Sequence, residues 1–112
     1  PVNTTDIFIS PSTVNGYSFE RLNNLRDYVI AGQALHNCLN EHYPFSNPVY
    51  IIKRGGIIQA AIELRGRTVI QARCFNNMHI EFSPNINAAL KKWAKCKSIH
   101  IYWDLLNDNP DD

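Results

Sequence analysis

Three short β-rich segments separated by glycines constrain the fold of this chain more than any other feature of its sequence. Each segment is rich in β-branched and apolar residues, as strands are. They cover residues 49–53, 57–64 and 68–75, with Gly55-Gly56 and Gly66 between them. Because glycines at such intervals are typical of hairpin turns, we predict an antiparallel meander of three strands.

The length of the second turn decides which side chains share a face of this meander. A three-residue turn, Arg65-Gly66-Arg67, places Ile62 opposite Ile70, whereas a two-residue turn places Ile62 opposite Val69 and mixes the two faces. A slip of one residue moves every apolar side chain to the other face, so we predict the three-residue turn. The predicted apolar face contains Ile58, Ala60, Ile62, Ile70 and Ala72, and the opposite face contains Tyr50, Gln59, Glu63, Gln71 and Arg73.

Helical periodicity predicts three helices around this sheet. The first follows Ser18 as N-cap and runs to about residue 30, the second covers 33–43, and the third covers 84–96 with Trp93 on its apolar stripe. Residues 98–103 alternate and favour a fourth strand. The predicted fold class is therefore α+β, with helices packed on one face of a small, mainly antiparallel three- to four-stranded sheet.

Length and composition predict one domain over residues 1–112. Residues 1–17 form an arm in this interpretation, and the acidic tail 104–112 is expected to be frayed. Three cysteines without a leader segment predict a reducing compartment and a cytoplasmic location. No apolar run reaches the length of a membrane span, so no membrane partner is expected.

The net charge of +1 hides an uneven distribution along the chain. Residues 50–100 contain nine Lys or Arg against two Glu, an excess of seven, while the last twelve residues contain four Asp and no base. A basic block of this kind favours a polyanionic partner, although a solvated basic face is the alternative.

Candidate chemistry lies at two places. On the polar sheet face, Glu63 is a candidate proton acceptor, and Gln71 and Arg73 are candidates to orient an amide, carboxylate or phosphate; a solvated sheet face is the alternative. In the second helix, Cys38 and His42 share a face, and we expect a buried Cys38 and a helix-capping His42 rather than a thiol nucleophile. No further ligands complete a metal site, and neither metal nor cofactor is expected.

Part of the sequence resembles the PcfJ-like domain, a family of protein domains encoded on conjugative plasmids and phages. The resemblance covers about residues 30–95 and is carried by Leu35-His36-Asn37-Cys38, Tyr43, Tyr50 to Arg54, Glu63, Val69 to Arg73, Asn76, Asn77 and Lys92-Trp93. Leu39 replaces the usual Val, Cys74 replaces a common Gly, and the segment before Glu63 is shorter than in the family. The resemblance implies a mobile-element context and directs attention to His36, Cys38, Glu63, Gln71, Arg73 and Asn76 or Asn77.

Three functions follow as hypotheses. The first is a nucleic-acid-associated accessory domain of a mobile element. Its expected binding residues are Tyr50, Arg54, Arg65, Arg67, Asn76, Asn77, Lys91, Lys92 and Lys95, with Cys38, His42 and Trp93 as structural residues. The second is a small inhibitor that binds a host defence protein. The third is an enzyme with a catalytic cleft of His36, Glu63, Gln71 and Arg73 that acts on a phosphate- or carboxylate-bearing substrate.

Overall fold

A six-stranded mixed sheet, curled into a half-barrel, is the framework of the protein in a computed structural model. The structure describes residues 8–37, 47–80 and 83–102. Its elements in chain order are β1 (Ser12–Val14), β2 (Tyr17–Arg21), α1 (Leu25–Leu35), β3 (Val49–Arg54), β4 (Ile57–Arg65), β5 (Thr68–Cys74), a 3₁₀ turn (Phe75–Asn77), α2 (Pro84–Cys96) and β6 (His100–Ile101). The segment expected to be an arm thus contributes β1.

Strand order follows chain order, and only the last pair is parallel. Each of β1 to β5 pairs antiparallel with the next strand, while β6 joins the edge of β5 in parallel after the α2 crossover. The prediction of a small sheet of three or four strands is therefore wrong. The predicted meander is its centre, and β1, β2 and β6 extend it on both sides.

The two described helices pack on opposite faces of the sheet, so the prediction that helices cover one face is also wrong. Trp93 and Leu90 of α2 lie in the larger core together with Tyr50 and Ile62. Because α2 contacts both edge strands, β1 and β6, it lies across the inside of the curl. On the other face, α1 packs in a second core that is described below.

Consecutive buried residues in β3 explain the second covered face. Val49, Tyr50, Ile51 and Ile52 are all buried, and successive side chains of a strand point to opposite faces. Val49 and Ile51 therefore meet α1, where Tyr28, Ala31 and Leu35 form the smaller core with Leu22 and Ala61. An unbroken apolar run of this kind is typical of a strand with both faces covered.

A strand, β2, replaces the start of the predicted first helix. Asn15 and Gly16 both have positive φ, 53° and 82°, as the two central residues of a tight hairpin turn require. This turn pairs Val14 with Tyr17, and Phe19 then points into the core and stacks on Trp93 with ring centroids 4.7 Å apart. The strand pattern overrides the helical spacing because the hairpin buries both aromatic rings.

Helix α1 begins later than the predicted first helix and continues past its expected end near residue 30 into the start of the predicted second helix, so the predicted break between the two is wrong. The side chain of Asn24 caps it by accepting a hydrogen bond from the Asp27 amide at 2.9 Å. His36, at φ 54° and ψ 54°, ends the helix in the left-handed region. The remainder of the predicted second helix, residues 38–43, lies outside the described residues.

The predicted three-residue turn between β4 and β5 is wrong. Arg65 pairs with Thr68 across a two-residue turn, and a bulge at Ile70 follows. This extra residue restores the alternation, so that Ile62 lies opposite Ala72 rather than Ile70. A β-bulge inserts one unpaired residue into a strand, and here it reconciles the tight turn with a uniform apolar face.

A second irregularity moves Tyr50 to the core. The turn at Gly55-Gly56 has two residues, but the pairing of β3 with β4 shifts between Ile52 and Lys53, which leaves Gln59 as the extra residue. Tyr50 and Ile52 consequently lie on the core face with Ile62, and Ile58 packs on the α1 side. The placement of Tyr50 on the polar face is therefore wrong.

Candidate nucleic-acid interface

The outer face of α2 carries a row of lysines. The helix buries Ile86, Leu90 and Trp93, and the amphipathic period therefore turns Lys91, Lys92 and Lys95 outward, where all three are exposed. Lys95 lies in the last turn, where a cation interacts favourably with the helix dipole. The apolar stripe predicted for this helix, with Trp93, is confirmed.

Arg54, the last residue of β3, lies beside one part of this lysine row. The turn between β1 and β2 lies between them. The Lys92 ammonium is 3.5 Å from the Asn15 side-chain oxygen in that turn. Two residues further, the ring of Tyr17 lies under the Arg54 guanidinium, whose carbon is 5.3 Å from the ring centroid. The Arg54 Nη1 also donates to the Tyr17 hydroxyl at 3.4 Å. The turn thus joins Arg54 to the α2 lysines.

Arg67 lies beside the C-terminal end of α2. Its Nη1 donates to the backbone carbonyl of Lys97 at 2.7 Å, which fixes the β4–β5 turn against the helix end. Arg54 and Arg67 flank opposite ends of β4, a strand of nine residues and thus about 27 Å long. We call the group Arg54, Arg67, Lys91, Lys92, Lys95 and Lys97 the basic stripe. Arg65 alternates onto the other face of the sheet, with Glu63, and lies outside the stripe.

The described carboxylates lie on the α1 side of the sheet. Glu20 is opposite Ile51 and is 3.6 Å from the Lys53 ammonium. Asp27 lies in the first turn of α1, and Glu63 accepts a hydrogen bond from Asn47 at 3.0 Å. Within residues 8–37, 47–80 and 83–102, no carboxylate pairs with a cation of the basic stripe. The α1 side therefore carries charges of both signs, with Lys53 and Arg65 beside the carboxylates, whereas the basic stripe carries cations with no described carboxylate among them.

The expected catalytic residues come together only in part. Glu63 and Gln71 are direct partners across β4 and β5, and Arg73 follows Gln71 on the same face, half-buried. His36 is exposed at the end of α1, with its ring centroid 4.5 Å from that of Phe75. No hydrogen bond in the described part of the chain joins His36 to the other three residues.

Tyr50 cannot contact a ligand on the sheet surface because it is fully buried. Its hydroxyl accepts a hydrogen bond from the Ile9 amide at 3.0 Å. Among the other predicted residues, Trp93 is also fully buried, and Asn76 is exposed at a φ of 56° in the 3₁₀ turn that contains Asn77. Cys38 and His42 lie outside the described residues.

Sequence reasoning missed two residues that organise the basic stripe, Asn15 and Tyr17. The Asn15-Gly16 pair is a recognisable turn signal, and it would have revealed the β1–β2 hairpin. The contact of Tyr17 with Arg54 has no signal in the sequence, because it joins residues that are far apart in the chain.

Comparisons with known proteins supply no relative: no family model, curated protein or solved structure matches the chain. Neither described helix has the length and apolar character needed to cross a membrane. In the described parts of the chain, no three His, Cys, Asp or Glu side chains are grouped as metal ligands.

Proposed function

We propose that the protein binds nucleic acid through the basic stripe, with little preference for sequence, as a cytoplasmic accessory domain of a mobile element. The observation that carries the proposal is the composition of the basic stripe: six cations lie on α2 and on the parts of the sheet beside it, and the described carboxylates lie on the α1 side instead. The mobile-element context is supported by the family resemblance alone.

The chemistry of the stripe suits a phosphate backbone. Lysine and arginine side chains that neutralise phosphates release condensed counterions, so affinity falls steeply with salt concentration. The stripe follows a helix of thirteen residues, about 20 Å long, which is enough to meet several successive phosphates. Because the cations are attached to a helix and to strands and turns that are already ordered, the backbone needs little further ordering on binding.

The test is a titration of labelled oligonucleotides, followed by fluorescence anisotropy, at about 50 and about 200 mM salt. Lys91→Glu reverses one exposed charge of the stripe, and Arg26→Glu reverses one exposed charge on α1 as a matched control. We expect Lys91→Glu to weaken binding several-fold at low salt and to reduce the dependence on salt, whereas Arg26→Glu has a much smaller effect.

Absence of binding by the wild-type chain at low salt would overturn the proposal, as would equal effects of the two reversals. The first result would favour the inhibitor hypothesis, in which the partner is a host defence protein. The enzyme hypothesis receives less support from the geometry because His36 contacts Phe75 rather than Glu63 or Arg73.

A further inference from the structure

The end of the sheet beside the β4–β5 turn carries an open row of polar side chains. Arg65 lies opposite Thr68, and Thr68 lies opposite His100 of β6. The next row, Leu64, Val69 and Ile101, packs into the core. Because neighbouring rows point to opposite faces, Arg65, Thr68 and His100 point away from the larger core, to the face of the sheet on which α1 packs. We call this the outer face, and Arg65 and His100 are exposed on it.

A second ring lies on the same outer face. Tyr102 follows His100 by two residues and continues the ladder, since its amide donates to the Val69 carbonyl at 3.1 Å. Alternation therefore places its ring on the side of His100, and the side chain is 48% exposed. Gln71 is also exposed on this face. Helix α1 covers a different part of the same face, around Val49 and Ala61.

The β4–β5 turn connects this surface with the basic stripe. The carbonyl of Arg67 accepts a hydrogen bond from the His100 amide at 2.7 Å, and the guanidinium of the same residue is bonded to Lys97 at the end of α2. Of the carboxylates described on this face, Glu63 is the one beside Gln71, which lies opposite it, and it accepts a hydrogen bond from Asn47. Two open rings thus adjoin a cluster of cations.

We infer that this outer face binds the bases of a single-stranded nucleic acid, with stacking on His100 and Tyr102 and phosphates held by Arg67 and the lysines at the end of α2. The inference rests on the proposed function and specifies its substrate class. Exposed rings next to a basic groove are the arrangement by which proteins bind unpaired bases without reading sequence. A duplex cannot use such rings, because its bases are already stacked on each other.

The experiment compares three labelled ligands of equal length at low salt: an oligothymidylate, the same backbone without bases, and a duplex. Tyr102→Leu removes the exposed ring, Tyr102→Phe keeps it, and Phe75→Leu removes an exposed ring elsewhere on the surface, 47% accessible. We expect Tyr102→Leu to weaken binding of the oligothymidylate about fivefold or more, the effect of losing one stacked base. Binding of the abasic strand should be unchanged, and Tyr102→Phe and Phe75→Leu should resemble the wild type.

Equal affinity of the wild-type chain for the abasic strand and the oligothymidylate would overturn the inference, and so would equal losses in Tyr102→Leu and Phe75→Leu. If the abasic strand still binds strongly, either result is consistent with the proposed function and contradicts only the inference. Loss of binding to all three ligands in the wild type would overturn both. Unfolding temperatures of the variants, measured alongside, identify any loss that comes from a destabilised fold.

Discussion

At the scale of single residues, Tyr50 shows how one polar atom ties a distant segment to the core. The ring is fully buried and lies 6.0 Å from Trp93 between centroids. Its hydroxyl satisfies the amide of Ile9, forty-one residues away, and buried amides of this kind require a partner. The residue therefore stabilises the N-terminal segment rather than a ligand.

Tyr50→Phe is expected to reduce the free energy of unfolding by about 1 to 3 kcal/mol, the cost of a buried donor left without its acceptor. Urea unfolding measures the change, and hydrogen exchange should show faster exchange of the Ile9 amide. Tyr102→Phe, at an exposed position, serves as the control and should change stability little. Equal stability of Tyr50→Phe and the wild type would contradict the assigned hydrogen bond.

Cys74 makes stability depend on pH in the alkaline range. Burial raises the pKa of its thiol, an effect that a hydrogen bond with Ser83 partly opposes. The unfolded chain therefore loses this proton at lower pH than the folded chain does, and the folded state loses stability as pH rises above the ordinary thiol value of about 8.5. Below that value both states keep the proton and the contribution is constant.

We expect the free energy of unfolding to fall more steeply above about pH 8.5 in the wild type than in Cys74→Ala. Unfolding curves at a series of pH values measure the slope for both proteins. Cys96→Ala, which alters an exposed thiol, should keep the slope of the wild type. If Cys74→Ala and the wild type have parallel pH profiles, the buried thiol does not contribute.

At the scale of elements, the bulge in β5 determines what the two faces of the sheet carry. Val69 pairs with Leu64 and Gln71 pairs with Glu63, so Ile70 between them is the extra residue. Without it, the tight turn would place Gln71 opposite Ile62 in the core. With it, Gln71 and Arg73 reach the outer face, and the polar row used in the inferred base-binding surface exists.

Deletion of Ile70 is expected to be tolerated, at a cost within the ordinary range of about 0.5 to 3 kcal/mol, because it removes the unpaired residue and leaves all flanking pairs intact. Deletion of Ala72 is the matched comparison. It brings Arg73, or Gln71 if the bulge closes, opposite Ile62, and burial of such a group without partners prevents stable folding. Circular dichroism and urea unfolding distinguish the two variants, and an unfolded Ile70 deletion variant would contradict the assigned bulge.

At the scale of the whole molecule, the curled sheet keeps the described carboxylates away from the basic stripe. Glu63 stands between Arg54 and Arg65 in the chain, yet its carboxylate and the Arg54 guanidinium are on opposite faces. A surface that carries only positive charges raises the local concentration of a polyanion and speeds its encounter with the protein. The net charge of +1 therefore understates the field near α2.

The acidic tail is expected to compete with nucleic acid for the basic stripe. The last nine residues include four aspartates, and a tethered anion has a high effective concentration at a neighbouring basic surface. Deletion of residues 105–112 should therefore tighten binding, most clearly at low salt, where charges are least screened. Anisotropy titrations of both forms at two salt concentrations test this, and a control that replaces the tail aspartates with asparagines separates charge from length. Unchanged affinity of the deletion variant for nucleic acid would contradict competition by the tail.

Local patterns in the sequence predicted the centre of the fold well, because short-range physics determines it. The bounds of α2 agree with the structure, since Pro84 starts the helix and the apolar period continues to Trp93. The three meander strands agree within one or two residues because glycines mark their turns. For the candidate site, the outward lysines of α2 follow from the same period, whereas the His36–Phe75 contact joins residues far apart in the chain and has no signal in the local pattern.

Local sequence is enough to predict the apolar and polar positions of the meander, the places of its two glycine turns and the excess of cations in residues 50–100, since each depends on neighbours in the chain. The face that each strand presents depends on the folded sheet, because two bulges shift the register and hairpin pairing overrides the helical spacing around Phe19. The assembly of Arg54, Tyr17, Lys92 and Arg67 around α2 also depends on long-range contacts. Pairs so distant in sequence are selected by burial of the whole core, which no local pattern encodes.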